Sequence, residues 1–128
     1  MTSEPPARIL IVEDEPIVRS VTCKLLSAAG YDCVAAADGR EALVMVRNAD
    51  RRVALVLTDV VMPMMTGIEL HAELARFAPG LPVLFTSAYP DVVLLDRGFD
   101  TRQHRFIRKP FDFATLREAV DSIVAPRR

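Results

Sequence analysis

RILIV at residues 8–12 and VALVL at residues 53–57 are short, continuous apolar runs rich in β-branched residues. A strand with one wet face would interrupt such a run with alternating polar residues, whereas a strand covered on both faces does not. The chain must therefore supply helices for both sides of a parallel sheet. PVLF at 82–85 and RFI at 105–107 read as further strands of this kind, and Tyr31 to Ala36 alternates as an edge strand does.

Helical patterns fill the intervals. Pro16 suits a first-turn position, Val18, Val21, Leu25 and Ala29 share one face, and Gly30 suits the stop just past the end. Asp38 with Glu41 is spaced as a capping box for a helix through Leu43 and Val46. Thr66 with Glu69 repeats that spacing ahead of Leu70, Leu74 and Phe77. A short helix is expected from Asp91 to Arg97. Asp112 is placed to cap a last helix whose apolar face is Leu116, Val120, Ile123 and Val124. Strand and helix thus alternate five times, which implies right-handed crossovers and helices on both faces. The expected architecture is α/β: a flavodoxin-like, doubly wound, five-stranded parallel sheet in the order 2-1-3-4-5, with five helices. Its ligand crevice lies outside the C-terminal ends of strands 1 and 3. The whole chain, 1–128, reads as a single domain with a core of about 7–125 and no linker, repeat or low-complexity tract.

A formal net charge of -1 gives no electrostatic reason to expect a nucleic-acid partner or a membrane surface. MTSEPPAR lacks the basic and apolar regions of a secretory signal, and no apolar run approaches the roughly 20 residues that span a bilayer. Cys23 and Cys33 form no CxxC pair and read as thiols of a reducing compartment. A cytoplasmic location is expected.

EDEP follows the first strand and TDVVMP follows VALVL, so the expected topology brings Glu13, Asp14 and Asp59 into one crevice. Carboxylates gathered so closely repel one another unless a cation joins them or some stay protonated. Oxygen-only ligands suit a hard ion such as Mg²⁺, which keeps waters and leaves room for phosphate oxygens. Taken alone, Glu13 and Asp14 also suit capping of the Pro16 helix. The fourth strand ends in Thr86-Ser87-Ala88, which offers a hydroxyl, and the fifth ends in Lys109-Pro110. Lys24 and Lys109 are the only lysines among 16 basic residues. A compact ammonium either balances an acidic cluster or reaches a phosphoryl oxygen as a point charge.

The chain resembles a response-regulator receiver domain of two-component signalling. The resemblance runs from ILIVEDEP through TDVVMPMMTG and VLFTSAYP to FIRKPF, and the D-x-x-M-P-x-M-x-G run from Asp59 to Gly67 is its most specific part. VEDE, TDVVMP and PGLPVLFTSAY are especially similar to receivers of hybrid histidine kinases. The resemblance implies that Asp59 accepts a phosphoryl group from a histidine kinase or a histidine phosphotransfer domain. It implies Mg²⁺ held by Asp14, Asp59 and the Val61 backbone carbonyl, with Glu13 acting through a water. Lys109 is then the phosphoryl contact, Ser87 the hydroxyl that bonds the group after transfer, and Phe106 the aromatic that follows Ser87. The implied role is a phosphorylation-switched module in a phosphorelay, not a metabolic enzyme, working through an output domain or partner protein.

Other readings stay open at this point. A pseudo-receiver would keep the fold and dock constitutively without phosphate. A Mg²⁺-dependent aspartyl-phosphate hydrolase would want a second acid near the nucleophile, yet Val-Val-Met follows Asp59. An FMN carrier is at odds with acid after the first strand. The chain also departs from the family: no small Gly-Ala pair precedes the fifth strand, and Pro90 is placed to shorten or shift the fourth helix. Val61 and Tyr89, at positions that tune hydrolysis in the family, offer no carboxylate or amide. Arg97, Arg102, His104, Arg105 and Arg108 crowd the expected output face, as a solvated basic surface or a dock for an acidic partner. The chain stops after the last helix, as either a free-standing receiver or a piece of a longer protein.

Overall fold

A computed structural model describes residues 5–124. Five parallel strands, β1 (Arg8–Val12), β2 (Asp32–Ala36), β3 (Val53–Asp59), β4 (Val83–Ser87) and β5 (Phe106–Arg108), form one sheet in the order β2-β1-β3-β4-β5. The helices are α1 (Pro16–Ala28), α2 (Gly39–Arg47), α3 (Gly67–Phe77), α4 (Asp91–Asp96) and α5 (Phe113–Val124), with a 3₁₀ turn at Thr101–Gln103. Strand order and helix number are those expected from the alternation of the sequence. The expected core limit at 125 lies outside the described residues.

Alternation along the central strands divides the core into two layers. Leu10, Val12, Val56 and Phe85 face Ala42 of α2 and Leu70 and Leu74 of α3. Ile9, Ile11, Leu55, Leu57 and Leu84 face Leu26 of α1 and Leu116 and Val120 of α5. Each such side chain contributes roughly 1.5–3 kcal/mol by leaving water, which is why the uninterrupted apolar runs end up at the centre.

The helix ends are built largely as their sequences require. Gly30, at φ 101°, lets Tyr31 N–H reach Leu26 O and Gly30 N–H reach Ser27 O, closing α1. Thr66 and Glu69 make a complete capping box, Glu69 N–H to Thr66 Oγ1 at 3.1 Å and Thr66 N–H to Glu69 Oε1 at 2.9 Å. Asp112 caps α5 by accepting from Thr115 N–H at 2.8 Å. Asp38 accepts from Glu41 N–H at 2.8 Å, but the Glu41 carboxylate reaches one residue further than a capping box, to Ala37 N–H at 2.7 Å.

Two local expectations change. The buried stripe of α1 is Thr22 and Leu26 flanked by the half-buried Val18, Leu25 and Ala29, while Val21 is exposed. Thr22 is turned inward, so the stripe is rotated by one residue. α4 stops at Asp96 because Gly98, at φ 88°, ends it with the same bond pattern as α1, Phe99 N–H to Leu94 O and Gly98 N–H to Leu95 O. Pro90 merely precedes its first residue. The buried Phe99 seals that turn.

Candidate functional site

The strands run further than the apolar runs that announce them, and this places the site. Asp59 is the last residue of β3 and Ser87 the last of β4. Val12 is paired with Thr58, so the next residues, Glu13 and Asp59, stand side by side at that end of the sheet. Both are almost wholly buried, at 4% and 6% exposure, whereas Asp14 is exposed. Carboxylate oxygens of Glu13, Asp14 and Asp59 lie within 4.8 Å of one another.

Lys109 enters from the end of β5. Its Nζ stands 2.7 Å from Glu13 Oε1 and 2.8 Å from Asp59 Oδ1. The peptide bond from Lys109 to Pro110 is cis. Both oxygens of Glu13 are engaged: Oε1 accepts from Lys109 Nζ and Oε2 accepts from Glu15 N–H at 3.1 Å. It therefore does not act as a side-chain cap on α1, whose first flanking residue, Glu15, also makes no side-chain capping bond. Arg19 reinforces the turn by donating from Nη1 to Glu13 O at 2.8 Å, a contact that no sequence spacing announced. Asp59 Oδ1 is different. The ammonium is close but out of line for a hydrogen bond, so this buried oxygen has a charge partner without a directed donor.

The electrostatics follow from these contacts. Burial alone would raise both carboxyl groups. At Glu13 the Lys109 and Glu15 hydrogen bonds outweigh burial and hold it below the usual carboxylate range. At Asp59 burial outweighs Lys109, and the Glu13 charge adds to it, so Asp59 is pushed up to about 7. Burial works against the charge of Lys109, yet its two carboxylate partners hold its pKa above the ordinary lysine value. One ammonium thus balances Glu13 and leaves Asp59 short of positive charge.

The remaining candidates surround this centre. Ser87 Oγ accepts from Tyr89 N–H at 3.0 Å, so its hydroxyl is held by its own turn rather than by Asp59. Phe106, half-buried on β5, lies 6.0 Å from Phe99 and beneath the Arg108 guanidinium. The Val61 carbonyl accepts no hydrogen bond from the described residues. The loop beyond it makes a tight turn, Met65 N–H to Pro63 O at 2.7 Å, with Met64 at φ 69°. The arginines expected to crowd the output face are partly engaged: Arg102 pairs with Asp100, Arg108 with Asp91, and Arg97 lies over the Tyr89 ring.

Residues 9–121 match the family described as the response regulator receiver domain. The chain belongs to that family. The receiver is 39% identical over 111 residues to the response regulator MprA of Mycolicibacterium vanbaalenii, a match that covers 87% of this chain and 47% of MprA. The chain spans about half or less of the length of the curated relatives it matches first. Its fold superimposes on the receiver domain of the hybrid histidine kinase CckA with a TM-score of 0.75 at 36% identity, covering 92% of this chain and 99% of that one. It also matches the response regulator TrrA of Thermotoga maritima, solved with Mg²⁺ and BeF, with a TM-score of 0.77 at 27% identity, covering 91% and 98%.

The donor set of this receiver fits a small hard cation. Asp14 is exposed beside the cluster, Asp59 Oδ1 is buried without a donor, and the Val61 carbonyl is unengaged. All are oxygen ligands, the class that Mg²⁺ prefers. Among the described residues no helix is long and apolar enough to cross a membrane. Cys23 and Cys33 are free thiols, and burial, with Cys23 beside it, raises the Cys33 pKa.

Proposed function

We propose that this receiver takes a phosphoryl group onto Asp59 from the phosphohistidine of a histidine kinase or histidine phosphotransfer domain. It then passes the change to an output domain or partner protein. The observation that carries the reading is the pairing of Lys109 with both Glu13 and Asp59, with Asp14 alongside and an unsatisfied Asp59 oxygen between them. In the transfer, an Asp59 carboxylate oxygen forms a bond to phosphorus as the bond from phosphorus to the donor imidazole nitrogen breaks. The nitrogen keeps the electron pair.

Asp14, Asp59 and the Val61 carbonyl would hold Mg²⁺, and Glu13 would act through one of its waters. The ion supplies charge neutralisation for the phosphoryl oxygens, which together with alignment is most of what phosphoryl transfer asks of a protein. Lys109 is placed to move its attraction from the carboxylate to a phosphoryl oxygen. Ser87 can give up its bond with Tyr89 N–H and donate to the new acyl phosphate, with Phe106 shifting into the space it leaves. Such a module is switched by a covalent mark and turns over no metabolite.

The test is to phosphorylate the receiver, reduce the acyl phosphate with borohydride and map the peptides. The expected result is homoserine at position 59. Reduction at another carboxylate would contradict the assignment of Asp59. No modification by either a small phosphodonor or a phosphohistidine protein would favour a docking module that carries no phosphate.

A further inference from the structure

Beside the site, one buried polar group has no role in the chemistry described so far. β3 and β4 pair Asp59 with Thr86, and paired residues of a parallel sheet point to the same face. Thr86 is 4% exposed and its hydroxyl has no hydrogen-bond partner among the described residues. Leaving a buried hydroxyl unpaired costs about 1–3 kcal/mol, and valine would fill nearly the same volume without that cost.

A void of about 10 Å³ adjoins it; Ile11, Val12, Val18, Leu57 and Phe111 make its apolar walls, and Glu13, Thr22, Thr86 and Lys109 bring polar groups to it. That is about the space one water needs, provided polar groups line it. Lys109 can help to hold such a water, because an ammonium carries three N–H donors, of which Glu13 takes one in a directed hydrogen bond while Asp59 is met as a charge.

We propose that Thr86 is a positioning residue of the receiver. Its hydroxyl holds one buried water against Lys109, and that water fixes the ammonium between Glu13 and Asp59. The hydrogen bond to Glu13 alone leaves the ammonium able to turn about its flexible stem, away from Asp59. Anchored from below, it stays where a phosphoryl oxygen arrives. The inference rests on the function proposed above, in which Lys109 meets the phosphoryl group.

High-resolution crystal structures and phosphorylation kinetics of wild type, Thr86→Val and Thr86→Ser test it together. An ordered water within hydrogen-bond distance of Thr86 Oγ1 and Lys109 Nζ is expected in wild type and Thr86→Ser, and none in Thr86→Val. With Mg²⁺ and acetyl phosphate, Thr86→Val should be slowed about tenfold at saturating donor, the equivalent of one net hydrogen bond. The half-saturating donor concentration should stay unchanged, and Thr86→Ser should recover most of the rate. A cooperative thermal unfolding transition of Thr86→Val close to the wild-type temperature is expected and separates the kinetic loss from misfolding. An empty void in wild type, or a Thr86→Val protein as fast as wild type, overturns the positioning role alone. A wild type that takes no phosphate from any donor overturns the proposed function and the positioning role with it.

Discussion

Gly67 lies so close to the main-chain carbonyl of Asp59 that no β-carbon fits between them. The same glycine donates its N–H to Val60 O at 2.8 Å. The last glycine of the D-x-x-M-P-x-M-x-G run is therefore a packing requirement: α3 starts directly against the strand end that presents Asp59. Replacement by alanine, Gly67→Ala, must push that strand end aside. The expected loss is about 1–3 kcal/mol of stability, as for other overpacked sites, read from the urea midpoint. Uptake of phosphate should fall with it. An unchanged midpoint would contradict the close approach.

Asp59 and Glu13 set opposite pH dependences on stability. Asp59 is pushed up to about 7 in the fold, so without a metal its favourable contribution is present at low pH and is lost as pH rises through about 7. Glu13 is held below its ordinary value, so its contribution is present at higher pH and is lost only as pH falls through the acid range. Asp59→Asn should abolish the loss on the neutral side and stabilise the protein at pH 8 by about 1–2 kcal/mol, as expected when a buried, under-compensated charge is removed. Mg²⁺ should stabilise wild type at pH 8 and leave Asp59→Asn nearly unmoved. Denaturation midpoints at pH 5.5 and pH 8, with and without the ion, check all three expectations. A wild type more stable at pH 8 than at pH 5.5 without Mg²⁺, by an amount that Asp59→Asn abolishes, would reverse the assigned sign.

Val61 and Tyr89 offer neither a carboxylate nor an amide to orient a water at an acyl phosphate on Asp59. Phosphorylated Asp59 should accordingly be long-lived, and Val61→Asn should shorten its lifetime several-fold by adding an amide at the site. The decay of the phosphorylated form after removal of the donor measures this. Unchanged or slower decay in Val61→Asn would contradict the explanation.

Much of the fold was legible because its signals are local. The apolar runs of β1 and β3, the Thr66–Glu69 box and Gly30 each act within a few residues, and together they imply the strand order. The convergence of Glu13, Asp14, Asp59 and Lys109 was legible through that topology and through the family resemblance. What was not legible depends on packing across elements. α1 buries Thr22 in place of Val21, and a threonine counts as polar in any sequence pattern. Gly98 ends α4, yet Pro90 was the more conspicuous signal. Thr86 gave a weak sign, a second hydroxyl beside Ser87 on the strand face it shares with Asp59. Only burial and pairing together show that it is unpartnered. Arg19 reaches back six residues to Glu13 O through a local contact that no motif encodes.

The central claim is that Asp59 is the phosphoacceptor, and intact mass measurement tests it most directly. Wild type and Asp59→Asn are incubated with acetyl phosphate, each with Mg²⁺ and with a chelator in its place. Wild type should gain the mass of one phosphoryl group with Mg²⁺ and nothing with chelator, and Asp59→Asn should gain nothing in either. An equal gain in Asp59→Asn would contradict the claim, as would a wild type that gains no mass from acetyl phosphate or from a phosphohistidine protein.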